Sequence, residues 1–514
     1  MKNLFLIIST SFIFSISAYG TKEVGNGGDA VVCRDSSQDI VSSELLDFYE
    51  GRVMRGMVFD LDHAGPSYLE KVKFVLNRLK AFAPERANKY STWLNTFPQE
   101  SQFLKQVELV DVPDSAHIIF PRNCKVEQLV IQRIPERLSD KRYLINGDLW
   151  DLLDENGKAG TVLHELIYRE FIELGEVNSI STRYFNALIC STEFTLLSSI
   201  DYVHTLVSIG VRTTEWNEWI LDLEGEKPRF HKNYLAAASL YGVQKFIPKK
   251  SGSILLIEGP IKFNGPGRRD IDALKVANEE GVSAYFVNIG KKLYWLSTNT
   301  QATFYSDGSL KSYFVPPNDG PGGYYKGSNY QLRPSSATTA KHPVFLSLHP
   351  DGSIQVCLTC VGKVWLKSGQ EIEIGIHPKA ALDNNYTYLA MYPSISLRED
   401  GRVREVILSK EAALPIIDRS AIFKANSRIQ FEGDTEKVVS GVLFKKASFL
   451  VQGKEVKFVN SILVKTKPDI EFPQSGTLGE NVELQDRKGN INQYFEGQRI
   501  NFWYDGLVTS AQDP

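Results

Sequence analysis

The chain has 514 residues, of which 42% are hydrophobic and 23% charged, and its formal net charge is −3. That length exceeds what one core can organise and implies roughly two to four domains. The composition excludes wholesale disorder, and the slightly acidic balance argues against nucleic acid as a general partner.

Residues 1–20 read as a cleavable secretory signal peptide. Lys2 supplies the positive start, Leu4 through Ile16 an apolar stretch, and Ala18-Tyr19-Gly20 the small residues that a signal peptidase reads. The apolar stretch is short of the ~20 residues that a spanning helix requires, and no later stretch approaches it. The working protein is therefore expected to begin near Thr21 and to act in the periplasm, at the cell surface or outside the cell. Gly25-Asn26-Gly27-Gly28 lacks the Gly-Lys-Ser/Thr ending of a phosphate loop, which leaves a flexible or hairpin-forming N-terminus.

Residues 21–212 carry mainly helical signals and predict an α+β domain. Glu44 and Asp47 sit at the start of a helical segment over residues 45–49, where acids favour the helix N-terminus. Leu69, Val72, Leu76 and Leu79 recur at helical spacing. Strands are expected over residues 107–112, 117–120 and 126–134, with Pro121 and Pro135 as punctuation. A helix follows over 160–174, ending at Gly175. Another spans 200–208, opened by a capping box of Ser198 with Asp201 and closed by Gly210.

Residues 213–514 read as a mainly β, hairpin-repeat region of one or two sub-domains. Asp-Gly recurs between apolar alternations at Asp307-Gly308, Asp351-Gly352, Asp400-Gly401 and Asp505-Gly506, with a weaker copy over 429–433. Each predicts a two-residue hairpin turn at positive φ. The clear copies stand roughly 45–50 residues apart, which points to a repeated supersecondary unit. Gly320-Pro321-Gly322-Gly323-Tyr324-Tyr325 reads as a loop.

There are five cysteines. In an exported chain these are candidates for disulfides. Cys33 and Cys124 are the expected pair, tying down the N-terminus. Cys357 and Cys360 lie in an apparent strand, where residues three apart face opposite ways at ~10 Å, too far to bond without a kink. Neither a second CxxC for a zinc ribbon nor a helix for a thioredoxin-like site accompanies them. Cys190 is left as a buried thiol.

The most specific chemical motif is His164-Glu165-Leu166-Ile167-Tyr168-Arg169-Glu170. Zinc peptidases carry HExxH on a helix, because histidines at i and i+4 share one metal while the glutamate acts on its bound water. Tyr168 stands where the second histidine belongs, so further ligands must come from elsewhere, and Glu193 and His204 are the candidates, with Glu165 as general base. The competing structural reading pairs Glu165 with Arg169 across an exposed helix face, with His164 and Tyr168 at the core margin.

The Gly25-Asn26-Gly27-Gly28-Asp29 start, Leu45-Leu46-Asp47-Phe48-Tyr49-Glu50, Asp111-Val112-Pro113-Asp114-Ser115, the His-Glu helix and Arg183-Tyr184-Phe185-Asn186 together resemble a group of uncharacterised exported bacterial proteins over roughly residues 24–210. The resemblance implies a bacterial source and a shared N-terminal domain, and brings no activity. The order of long helix, strands and His-Glu helix also looks like a zincin fold, from which Tyr168 departs. The expectation is an exported, non-enzymatic binding or structural protein, with a degenerate zincin-like domain and a β-repeat surface for an unknown protein or envelope component. The alternative is a metal-dependent, peptidase-like hydrolase, and zinc is expected only in that case.

Overall fold

In a computed structural model, the described residues run from 23 to 513, apart from 27, 110–118, 138, 250, 252, 268–269, 281, 283, 290–291, 316–324, 335–343, 378–392 and 465–471. The signal-peptide segment therefore lies outside the described residues, as do Asp111-Val112-Pro113-Asp114-Ser115 and most of the 320–325 loop. The chain divides into two compact units, Met1–Lys227 and Pro228–Pro514. The first is α+β and the second mainly β.

In the first unit, strands β1 (Glu23–Asn26), β2 (Asp29–Arg34) and β3 (Ile40–Leu45) lead into helix α1 (Leu46–Arg55). Helices α2 (Tyr68–Leu79) and α3 (Pro84–Glu100) follow, then β4 (Ser101–Leu104), β5 (Cys124–Gln128), β6 (Val130–Arg133) and β7 (Tyr143–Asn146). The unit continues with α4 (Gly147–Leu152), α5 (Glu155–Glu173), α6 (Ile180–Cys190), α7 (Ser199–Ser208) and the hairpin of β8 (Thr213–Trp216) and β9 (Trp219–Asp222). Two small sheets result, ordered β1-β6-β7-β4 and β3-β2-β5.

Capping chemistry fixes the helix starts. Ser67 with Glu70 opens α2 and Ser198 with Asp201 opens α7, each as a reciprocal capping box. The Asp154 carboxylate accepts the Gly157 amide at 2.7 Å and starts α5 five residues before the periodic stretch that predicted it. Helix α3 was not legible, because Pro84 opens it and Pro98 lies within its last turn. α5 is buried on nearly every side, from Ala159 through Phe171, and packs against α1, α2, α3 and α6. A helix enclosed in this way is the core element of its domain.

Several expectations need correction. Residues 107–109 form no strand, 110–118 lie outside the described residues, and 119–120 are irregular. The expected strand over 126–134 is two strands broken at Leu129, whose amide bonds to the Gly28 carbonyl at 3.1 Å. The described part of the glycine-rich start forms no local hairpin, because β1 pairs antiparallel with the distant β6.

The Cys33–Cys124 disulfide is present and joins directly opposed residues of β2 and β5. Cys357 and Cys360 are also bonded, with Cα atoms 5.8 Å apart. The continuous strand assumed from sequence does not exist there. Ile354–Cys357 belongs to the main sheet of the second unit and Cys360–Trp365 to a separate sheet, and residues 358–359 bend between them. The bond pins that corner. Cys190 is the buried free thiol.

In the second unit the Asp-Gly segments build hairpins of one geometry. Gly308, Gly352, Gly401 and Gly506 have φ between 76° and 83°. Their amides bond back three residues to the carbonyls of Tyr305, His349, Arg398 and Trp503, while those residues' own amides donate to the carbonyls four positions on. Each aspartate Oδ1 accepts the amide two residues ahead at 2.8–3.0 Å. The turn is therefore a three-residue loop with a glycine bulge, not the two-residue turn expected. All four hairpins share the same register shift.

A larger pattern of pairing also occurs twice. In Tyr234–Phe246 residues 241–243 bulge opposite Glu258, and in Val438–Val451 residues 444–446 bulge opposite Val459. Both partner strands then carry a positive-φ residue, Gly259 and Asn460, and skip two positions at the same place against their next neighbours, Ile271–Val276 and Ser475–Leu478, which in turn pair with strands that enter an Asp-Gly hairpin. Each copy also holds a separate two-stranded hairpin at the same point, Ala284–Ile289 with Lys292–Ser297 in one and Val482–Gln485 with Ile491–Tyr494 in the other. Residues 234–315 and 438–512 thus follow one plan. Among the described residues, no helix is long and apolar enough to cross a membrane.

Candidate functional site

The His-Glu motif lies at the middle of α5, and both side chains are 0% exposed. His164 sits in the core, not at its margin, and Tyr168 is buried with it, the two ring centroids 6.0 Å apart. The His164 Nδ1 atom is 2.8 Å from Oδ2 of Asp47, on the first turn of α1. The same oxygen accepts the Asn186 amide of α6 at 2.7 Å, and that amide also donates to the Gly160 carbonyl at 2.9 Å. One carboxylate oxygen therefore ties α1, α5 and α6 together.

Glu165 faces the N-terminal strands. Its Oε1 accepts the Gly28 amide at 2.7 Å. Its Oε2 accepts from the Gln132 amide, which in its hydrogen-bonding orientation reaches it at 3.0 Å and the Glu165 carbonyl at 3.1 Å. A Cβ on Gly28 would lie 3.6 Å from Oε1 and 3.8 Å from the His164 ring, so the chain passes directly over both motif side chains. The expected exposed Glu165–Arg169 pair does not form. Arg169 instead meets Glu100 at 3.2 Å and lies over the Trp93 ring.

Burial pushes the Glu165 carboxyl up to about 7, against the opposing pull of His164 and the Gly28 amide. For His164, burial acts to lower the imidazole's pKa, but the charge and hydrogen bond of Asp47, with Glu165 and Asp29 behind them, raise it above its ordinary value. An aspartate-oriented imidazole beside a carboxyl that titrates near neutrality is competent to exchange protons. Enclosed at 0% exposure, it offers no substrate atom a place to approach.

The proposed metal ligands are not brought together. Glu193, in the turn after α6, holds the Val58 amide at 3.3 Å through both carboxylate oxygens. His204 is exposed on α7. Among the described residues, no group of three or more histidine, cysteine or acidic side chains could hold a metal ion. One His164 nitrogen, Nε2, is buried without a partner among the described residues, and a single orphaned donor falls short of the three protein ligands of a catalytic zinc. The residues present do not fit zinc.

Sequence reasoning missed Asp47, Asn186 and Gly28 as members of this cluster. Asp47 is an acid between apolar Leu46 and Phe48, and Asn186 interrupts the apolar run from Phe185 to Cys190. A polar residue on an otherwise buried face was the available signal. Two further buried polar groups flank the cluster: Arg183 with Glu50 at 3.1 Å, and Arg86 with Glu170 at 3.0 Å, the latter also bonded by the Tyr90 hydroxyl.

Fold and site define a two-unit protein, in which an α+β unit centred on a polar-linked helix is followed by an antiparallel hairpin unit. Compared with known protein families and with curated proteins, the chain matches none.

Proposed function

We propose that the chain is an exported, non-catalytic binding or structural protein of the bacterial envelope or exterior. Its first unit acts as a degenerate zincin-like scaffold, and its second presents a repeated hairpin surface to a protein or other envelope component. The observation that carries this reading is the complete burial of His164 and Glu165, each bonded to a framework group instead of facing a cleft. In that arrangement the motif serves the fold, linking α1, α6 and the N-terminal strands to α5. The duplicated pairing plan of the second unit supports the surface role, since stacked repeats offer extended faces for partners.

The test is native mass spectrometry of the mature protein after incubation with excess zinc. The proposal expects no stoichiometric adduct that depends on His164. One zinc per chain, lost in His164→Ala, would overturn it in favour of the metal-dependent hydrolase, the reading to which the orphaned Nε2 lends its only support.

A further inference from the structure

A cleft of about 830 Å³ opens on the first unit, away from the buried motif. It is lined by residues 42–45 of β3, by 56–59 beyond α1, and by 152–154 and 156–157 where α4 passes into α5. Successive side chains of a strand point to opposite faces. Four consecutive β3 residues can line one cleft only if it runs along the strand's edge. Among the described residues β3 pairs with β2 alone, so its other edge makes no strand pairing, and residues 42–45 of this edge strand line the cleft.

The rest of the lining complements that edge. Phe48 and Phe59 stack at 4.4 Å and, with Met57, provide an apolar floor, while Val58 and Leu152 stand 56% and 47% exposed. Two polar lining atoms, Ser43 Oγ and Asn156 Oδ1, have no hydrogen-bond partner among the described residues. The charge is biased. Among the described residues, the one cationic side chain of the lining, Arg52, is paired with Glu44 at 2.6 Å, which leaves the exposed Asp154 carboxylate as the net charge.

We infer that this cleft binds an extended polypeptide segment, whose backbone pairs with the open edge of β3 and which places an apolar side chain on the Phe48–Phe59 floor and a basic one toward Asp154. An unpaired strand edge is a template for strand addition, with main-chain bonds giving affinity and side-chain pockets selectivity. Four strand residues span about 13 Å, the length of a four- to five-residue segment. A small anionic ligand is disfavoured, because Arg52, the only cation of the lining among the described residues, is already paired with Glu44. The cleft belongs to the first unit alone, and the inference does not depend on the proposed hairpin surface.

The probe is a random twelve-residue peptide library displayed against the intact mature protein, with recovered peptides measured by fluorescence anisotropy. Recovered sequences are expected to combine apolar and basic residues and to slow amide exchange in residues 42–45. They are expected to bind at least tenfold more weakly to Val58→Asp and Leu152→Asp, two substitutions at exposed positions that leave the circular dichroism unchanged. N-methylation of alternate peptide amides is expected to abolish binding. Recovery of no peptide, or of peptides indifferent to both substitutions and to N-methylation, would overturn the inference. Cleavage of a bound peptide would uphold the site while refuting the non-catalytic reading, so the two failures are distinguishable.

Discussion

Replacing Asp47 with alanine should unfold the first unit more readily than any substitution on its surface. Oδ2 of Asp47 is the shared acceptor for His164 Nδ1 at 2.8 Å and Asn186 Nδ2 at 2.7 Å, and all three residues are fully buried. Alanine leaves the imidazole without its partner and Asn186 Nδ2 with only the Gly160 carbonyl. Removing one member of a buried charge-assisted pair costs about 3–5 kcal/mol, against under about 1 kcal/mol for an exposed pair such as Arg52–Glu44. For a unit of this size that corresponds to a fall of about 10 °C in Tm. The assay is urea unfolding followed by hydrogen exchange in α1 and α5 peptides, so that the second unit's transition does not enter. In a His164→Leu background the same Asp47 substitution should cost less, with a coupling of about 1–3 kcal/mol. A loss below about 1 kcal/mol in the wild-type background would refute the linking role of Asp47.

The first unit should be more stable at pH 5 than at pH 8. Glu165 is raised from 4.5 to about 7 and His164 is raised above 6.5, so both bind protons more tightly when folded. Their contribution is complete below the unfolded values and is lost as pH rises through the folded ones; thermal melts across this range should show the fall, and Glu165→Gln should flatten it. Cys33→Ser with Cys124→Ser opens a loop whose ends are 91 residues apart and should lower stability by about 2–5 kcal/mol in chemical denaturation. Gly160→Val should cost about 1–3 kcal/mol or more, since even a Cβ there would sit 2.6 Å from both Leu45 and Phe48; an unchanged melting curve would show that α1 does not pack as closely on α5 as described.

What could be read from the sequence was what is local. The Ser198–Asp201 capping box, the apolar spacing of α2 and the glycines of the Asp-Gly hairpins act within a few residues of themselves, and each marked its element. The buried cluster was illegible because its members are joined over long separations: 117 residues between Asp47 and His164, 139 between Asp47 and Asn186, and 137 between Gly28 and Glu165. The Glu165–Arg169 expectation failed for the same reason, since i,i+4 spacing describes an exposed helix face and α5 has almost none. Cys357 and Cys360 were misjudged because an apolar run hides the point where a strand leaves one sheet for another.

His164 is sealed within the core, and a non-catalytic role for the first unit depends on that burial more than on any other feature. Diethyl pyrocarbonate labelling of the folded protein, with each histidine read by peptide mass spectrometry, tests this without reference to any ligand. The exposed His204 should be modified rapidly and His164 only after unfolding in urea. Modification of His164 at the His204 rate in the folded protein would mean that the motif is open to solvent, and the non-catalytic reading would fall with it.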